Sequence, residues 1–297
     1  MHAVFADPKT DFVFKRIFGA ESRKSILIAL LNHLLELDGD QRILDVQHLT
    51  AEQHIDVAEL KLSIVDVKCT DASGRHFVVE MQVLKVEGFE KRVVYNASKA
   101  YVMQLRNAEE YPALCDVVGV TICNFNLWPE KNSQGGFKVP MLSRWRLQEQ
   151  HSGEKGLSQV QYAFLELPKY EAGDTPNTLV EKWAFFFREA KNLNVVPLPL
   201  LEPPFRDALD VARTAGFSAE EWEAYERAKM AEQDSRGALA VARTEGKRDT
   251  LLRLLARAGI SVSDDNRARI ERCSEAATLD RWSENVLGAK TIDEVLS

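Results

Sequence analysis

Apolar side chains recur along most of the chain with two alternating periods, one near 3.6 residues and one of two, and the switches between them mark out its elements. Residues 10–19 have helical spacing: Phe14, Ile17 and Phe18 share a stripe, with Thr10 placed as an N-cap and Gly19 as a stop. A second helix over 21–37 follows from Ile26, Leu27, Leu30, Leu31, Leu34 and Leu35. Segments 43–49 and 60–69 read as strands. Thr70-Asp71-Ala72-Ser73-Gly74-Arg75 is turn chemistry, and 76–84 is a further strand. Val94, Ala97, Tyr101, Val102 and Leu105 restore helical spacing over 87–107. The nearly unbroken apolar run from Cys115 to Cys123 predicts a central strand covered on both faces. Segments 137–147 and 158–167 add two more strands. This order predicts the α/β class, a mixed sheet with helices on both faces.

After Pro168 the pattern changes. An aromatic-rich helix is expected over 176–192, from Trp183, Phe185, Phe186 and Phe187. The cluster Pro197, Pro199, Pro203 and Pro204 reads as a linker, and the remainder is helical and charged. The expected organisation is a domain over 1–196, a linker over 197–204 and a helical appendage over 205–297 for assembly or partner contact. Leu251, Leu252, Leu254, Leu255 and Ile260 are many apolar residues for so small an appendage. Their stripe is expected to pack on the main domain or on a second copy of the chain. The hexapeptides Val211–Gly216 and Val241–Gly246 resemble each other, but two copies make no solenoid.

At 297 residues, 45% hydrophobic and 28% charged, the composition is that of a globular protein. No apolar run reaches membrane-spanning length, and no cationic start precedes an apolar stretch as in a secretory signal. Cys69, Cys115, Cys123 and Cys273 are few and form no CxxC pair, so reduced packing residues and a cytoplasmic location are expected. The net charge of −7 argues against coating nucleic acid by bulk electrostatics. Charge is local, however: Lys85, Lys91, Arg92, Lys99 and Arg106 outnumber Glu87 and Glu90, whereas the last hundred or so residues are acidic. Any DNA surface therefore belongs to the first half, with Lys15, Arg92, Tyr95, Lys99, Tyr101 and Gln104 as candidate contacts. A solvated helix face and core aromatics are the plainer alternatives. The histidines show no HxxxH or HxH spacing and no phosphate-binding glycine loop occurs, so neither zinc hydrolysis nor a nucleotide cofactor is indicated.

The candidate chemistry lies in Val65-Asp66-Val67-Lys68 and Val79-Glu80-Met81-Gln82. Asp66 and Lys68 share one strand face, as do Glu80 and Gln82. A hairpin centred on Ser73 sets Asp66 opposite Glu80, unless a bulge at Gly74 shifts the register. Facing carboxylates among valines destabilise a hairpin, and a divalent cation held by both resolves the conflict. Oxygen ligands with room for water favour Mg2+ or Mn2+. Two carboxylates near a solvated turn are the bland alternative.

These residues resemble the Rpn family, the recombination-promoting nucleases also described as PD-(D/E)xK nuclease family transposases. The likeness is carried by Asp7-Pro8-Lys9-Thr10-Asp11-Phe12-Val13-Phe14-Lys15-Arg16-Ile17-Phe18-Gly19, by Leu44-Asp45-Val46, by the two strands above with Asp71, Gly74 and Arg75, and by Ile122-Cys123-Asn124-Phe125. Gln104-Leu105 and Tyr111 fit the same pattern. It is dense over about 7–130 and looser to about 200. The resemblance implies a restriction-endonuclease-like fold and metal-dependent cleavage of DNA, linked to recombination, mobile elements or defence against foreign DNA. It assigns Asp66 and Glu80 as the catalytic carboxylates, with the backbone carbonyl of Met81 as a further metal ligand. Gln82 stands where most of the superfamily has lysine. Asp11 and Lys68 are accessory candidates, and a homodimer is expected for cutting both strands. Gln82 can neither ionise nor act as a base, so its expected part is to orient water or a phosphate oxygen. A transposase joining strands, or a silent DNA-binding regulator of the same fold, are the rival readings.

Overall fold

The computed structural model describes residues 3–53, 63–105 and 110–297, which form two compact units, 1–228 and 229–297. In the first unit, helices α1 (Asp11–Phe18) and α2 (Lys24–Leu35) precede strand β1 (Val46–Leu49) and a small ladder of β2 (Glu52–Gln53) with β3 (Ser63–Ile64). Strands β4 (Val67–Asp71) and β5 (His76–Gln82), helix α3 (Phe89–Val102) and strands β6 (Val117–Cys123), β7 (Leu142–Trp145) and β8 (Val160–Glu166) follow. Helices α4 (Leu179–Glu189), α5 (Phe205–Val211) and the long α6 (Ala219–Arg257) come next. Six strands make one sheet in the order β1-β4-β5-β6-β8-β7. β1, β4 and β5 are antiparallel, β5, β6 and β8 run parallel, and β7 returns antiparallel at the edge. This is the mixed sheet flanked by helices that the pattern predicts. The strand expected over 60–69 is shorter, and its first residues, like the end of the helix expected over 87–107, lie outside the described residues.

Alternation divides the sheet residues between two cores. Phe77, Val79 and Met81 of β5, with Val118, Val120 and Ile122 of β6, face α1, α2, α4 and α5 in the main core. Phe14, Phe18, Trp183, Phe186, Phe187 and Phe205 meet there, and Trp183 lies 4.8 Å from Phe205 between ring centroids. Val78, on the opposite face, packs with Ala97 and Ala100 of α3. The parallel β5–β6 pair is thus buried on both faces, which is why Cys115–Cys123 shows no alternation.

The β4–β5 hairpin has the register expected from a turn centred on Ser73, pairing Val67 with Val79, Lys68 with Val78 and Cys69 with Phe77. No bulge intervenes. Asp71 folds the turn by accepting the N–H groups of Ser73 (2.9 Å) and Arg75 (3.0 Å), and the Arg75 side chain reaches back to its second oxygen (2.7 Å). Gly74 has φ +85°, and a Cβ there meets the Cys115 sulfur at 2.6 Å, so no other residue fits.

The division of the chain differs from the sequence expectation. Residues 205–228 belong to the first unit rather than to an appendage, because Phe205, Ala208, Leu209, Ala212 and Tyr225 are buried in the main core. The N-terminal segment pairs with them: Ala6 donates to the Ala212 carbonyl (2.8 Å) and Thr214 to that of Val4 (3.0 Å). Prolines mark a bend in the chain here, not a boundary. The likeness of 211–216 to 241–246 is not structural either, since one ends α5 and the other lies inside α6. Truncation after Pro204 is expected to abolish cooperative unfolding, since each lost Phe or Leu anchor is worth about 2–5 kcal/mol. Truncation after Ala228 is expected to retain it. Circular-dichroism melting compares the two, and the opposite ranking would restore the proline boundary.

In the second unit, Leu251 and Leu255 of α6 are covered by α7 (Asp264–Arg272), α8 (Ala276–Asn285) and α9 (Ile292–Val295), through Ile270, Leu279, Trp282, Val286 and Val295. The apolar stripe is therefore satisfied within its own unit, and the expectation that it must cover another surface is corrected.

Candidate active site

Asp66 sits one residue before β4, just beyond the last ladder pair. Its carboxylate accepts the Met81 backbone N–H at 2.7 Å, so it takes a ladder position with a side chain. Glu80, on the α3 face of β5, is 8% exposed and accepts from the Asn96 amide at 2.6 Å. Gln82 ends β5; its amide donates to the Leu84 carbonyl (2.6 Å) and accepts from the Arg92 guanidinium. The same guanidinium lies 4.0 Å from Glu80 and 5.6 Å from the Phe89 ring centroid. A short turn after β5 starts α3 at Phe89, which is what brings Arg92 and Asn96 back over the strand end.

Burial raises the Asp66 pKa to about 7, helped by the charges of Asp11 and Glu80 and opposed by the Met81 N–H and Lys15. Burial also raises Glu80, against Asn96 and Arg92. Asp11 and Lys15, one turn apart on α1 and paired at 2.7 Å, therefore belong electrostatically to this site. The sequence placed Lys15 only among possible DNA contacts, and its role beside Asp66 was not foreseen.

The other sequence candidates distribute differently. Lys68 is 8% exposed and its lowered pKa comes from burial and from Lys99, so Lys15 rather than Lys68 is the lysine acting on Asp66. Gln104 has a structural part that the sequence did not suggest: both ends of its amide hold the Cys115 backbone, at 2.9 and 2.8 Å. Tyr101 packs against the α3 core, and Lys99 is 4% exposed with its ammonium 5.7 Å from the Tyr95 ring. Neither is a free surface group. Asn96 was missed because an Asn inside an amphipathic helix carries no signal until Glu80 is placed beneath it.

Asp66, Glu80 and the carbonyl of Met81 are the groups that would hold a metal here. Among the described residues no three His, Cys, Asp or Glu side chains gather as a ready cage. Magnesium is commonly held by one or two carboxylates with several waters, so a two-carboxylate set fits it. A second observation agrees: Asn96 Oδ1 is buried without a partner, so acceptors outnumber donors around Glu80. A cation with its waters redresses that balance.

With two raised carboxyls, stability is tied to pH. The folded pKa of Asp66 exceeds its unfolded value near 3.9, so the metal-free fold gains stability below about pH 4 and loses it as pH rises through 7. Asp66 keeps some access to solvent, which reduces the effect to about 2 kcal/mol. Asp66→Asn is expected to remove it: melting in EDTA at pH 5 and pH 8 should show the variant gaining on the wild type at the higher pH. Parallel behaviour of the two proteins would contradict the assignment of Asp66.

A mixed sheet flanked by helices, with paired acidic residues at the end of an antiparallel hairpin, is the class of restriction-endonuclease-like α/β folds. The chain matches the family described as PD-(D/E)XK nuclease family transposase over residues 8–242, and it belongs to that family. It matches no curated protein and no solved structure. No helix among the described residues is long and apolar enough to cross a membrane.

Proposed function

We propose that this protein is a DNA endonuclease that uses Mg2+ or Mn2+, held by Asp66, Glu80 and the Met81 carbonyl, to hydrolyse phosphodiester bonds. The observation that carries the reading is the pair of carboxyls at one end of the sheet, Glu80 buried and Asp66 largely so, both with raised pKa values. Such a site is costly unless a cation offsets it. When bound, the ion lowers the pKa of a coordinated water and offsets charge on the phosphate. The Met81 N–H aims Asp66, and Asn96 aims Glu80. Arg92, held by Gln82, brings the positive charge that Gln82 lacks and serves the scissile phosphate. Lys15 adds a second cation whose charge acts on Asp66.

Duplex cleavage is most effective with two sites, and a two-fold homodimer is part of this reading. Light scattering tests it. Supercoiled plasmid should be nicked or linearised with Mg2+ or Mn2+ and left intact in EDTA. Failure with both ions under all salt conditions would remove the nuclease assignment. The family description favours a second reading, in which the same site also joins strands; a labelled donor end transferred to a target plasmid separates the two. Roles in recombination, mobile elements or defence follow from either.

A further inference from the structure

A groove of about 580 Å3, open to solvent, runs between α1 and the first turns of α6, wholly within the first unit. Its walls carry four cations, Lys15, Arg16, Arg23 and Arg227, against two carboxylates, Asp11 and Glu221. Both carboxylates are already engaged. Asp11 pairs with Lys15 at 2.7 Å; Glu221 pairs with Arg16 and accepts the Ser218 N–H (2.9 Å) at the start of α6. Arg23 has no carboxylate partner among the described residues, and its hydrogen bond goes to the Arg16 carbonyl (2.6 Å). Among the described residues Arg227 pairs with Glu223, at 3.5 Å, and both side chains are at least 70% exposed, where such a pair holds weakly. The Arg16 pKa is lowered by burial and then by Arg23, so like charges are crowded here. Asp11 and Lys15, whose charges act on Asp66, are among the residues that line the groove.

We infer that this groove holds the phosphate backbone of the DNA flanking the bond cut at Asp66 and Glu80, with Arg23 and Arg227 as phosphate contacts. The inference rests on the nuclease reading above. An open groove lined by four cations suits a linear polyanion, and a small anion would need enclosure. Phe12 adds an apolar side chain to the lining, edge-on against Phe217 at 5.7 Å between ring centroids.

The test uses the full chain with Arg23→Gln and Arg227→Gln combined. Binding of a labelled duplex is measured in EDTA, where nothing is cut, across a salt series. Two lost phosphate contacts should lower the slope of log K against log salt by about 1.8 and weaken binding about tenfold at fixed salt. Hydrolysis of bis(p-nitrophenyl) phosphate with Mn2+, a substrate too small to reach along the groove, should be unchanged. An unaltered slope, a wild type that binds no duplex, or loss of diester hydrolysis in step with binding would each overturn the groove assignment. Duplex binding that falls in the variant, from a wild type that cuts neither plasmid nor diester, would support the groove and remove the nuclease reading instead.

Discussion

Asp66→Ala and Glu80→Ala should each lower DNA cleavage by at least about a thousandfold while leaving the protein folded. On the proposed reading each residue is one of two side-chain ligands of the ion, and losing either would leave too few oxygens to fix an ion and a phosphate together. Folding should survive because both carboxyls are strained by burial, and removing a raised carboxyl relieves that cost. Asp66→Asn and Glu80→Gln sharpen the test, since each keeps an acceptor for its Met81 or Asn96 donor. Plasmid nicking, a thermal melt and calorimetric titration with Mn2+ are read together. A variant that cuts at wild-type rate loses its residue from the site.

Arg92→Ala is expected to lower cleavage about a hundredfold with metal affinity unchanged, the scale seen when one donor to a developing charge is removed. The guanidinium lies beside Glu80 and is gripped by Gln82, the position where the superfamily more commonly has lysine. Gln82→Ala should cost less, about tenfold, since Arg92 remains near but is no longer aimed. Gln82→Lys placed on Arg92→Ala should recover part of the rate by returning a cation to the strand. Loss of Mn2+ binding in Gln82→Ala would show that the amide serves the metal instead. An Arg92→Ala protein at full rate would return that arginine to the surface.

Local pattern carried much of this protein. The period-two alternation and the turn chemistry of 70–75 determined the hairpin register, because Asp71, Ser73 and Gly74 leave the chain one way to reverse. That register sets Asp66 and Glu80 at the same end of the same hairpin, as the spacing predicts, whereas their choice as candidate site residues came from the family resemblance. The central strand at 117–123 was legible for a similar reason: burial on both faces leaves no polar positions. What no local pattern contains is which distant side chains complete a site. Asn96 and Arg92 look like ordinary helix residues until the turn after β5 folds α3 back over Glu80 and Gln82. Lys15 looks like a surface cation until the fold brings its charge to act on Asp66, and Gln104 like a surface amide until it clamps Cys115. The boundary was hidden in the same way. Prolines signal a bend whether or not the following helix is buried, and only packing placed Phe205 and Leu209 against Trp183 and its neighbours. Hydrogen bonds along a strand are written in neighbouring residues, whereas burial and electrostatic coupling depend on residues that meet only after the sheet has closed.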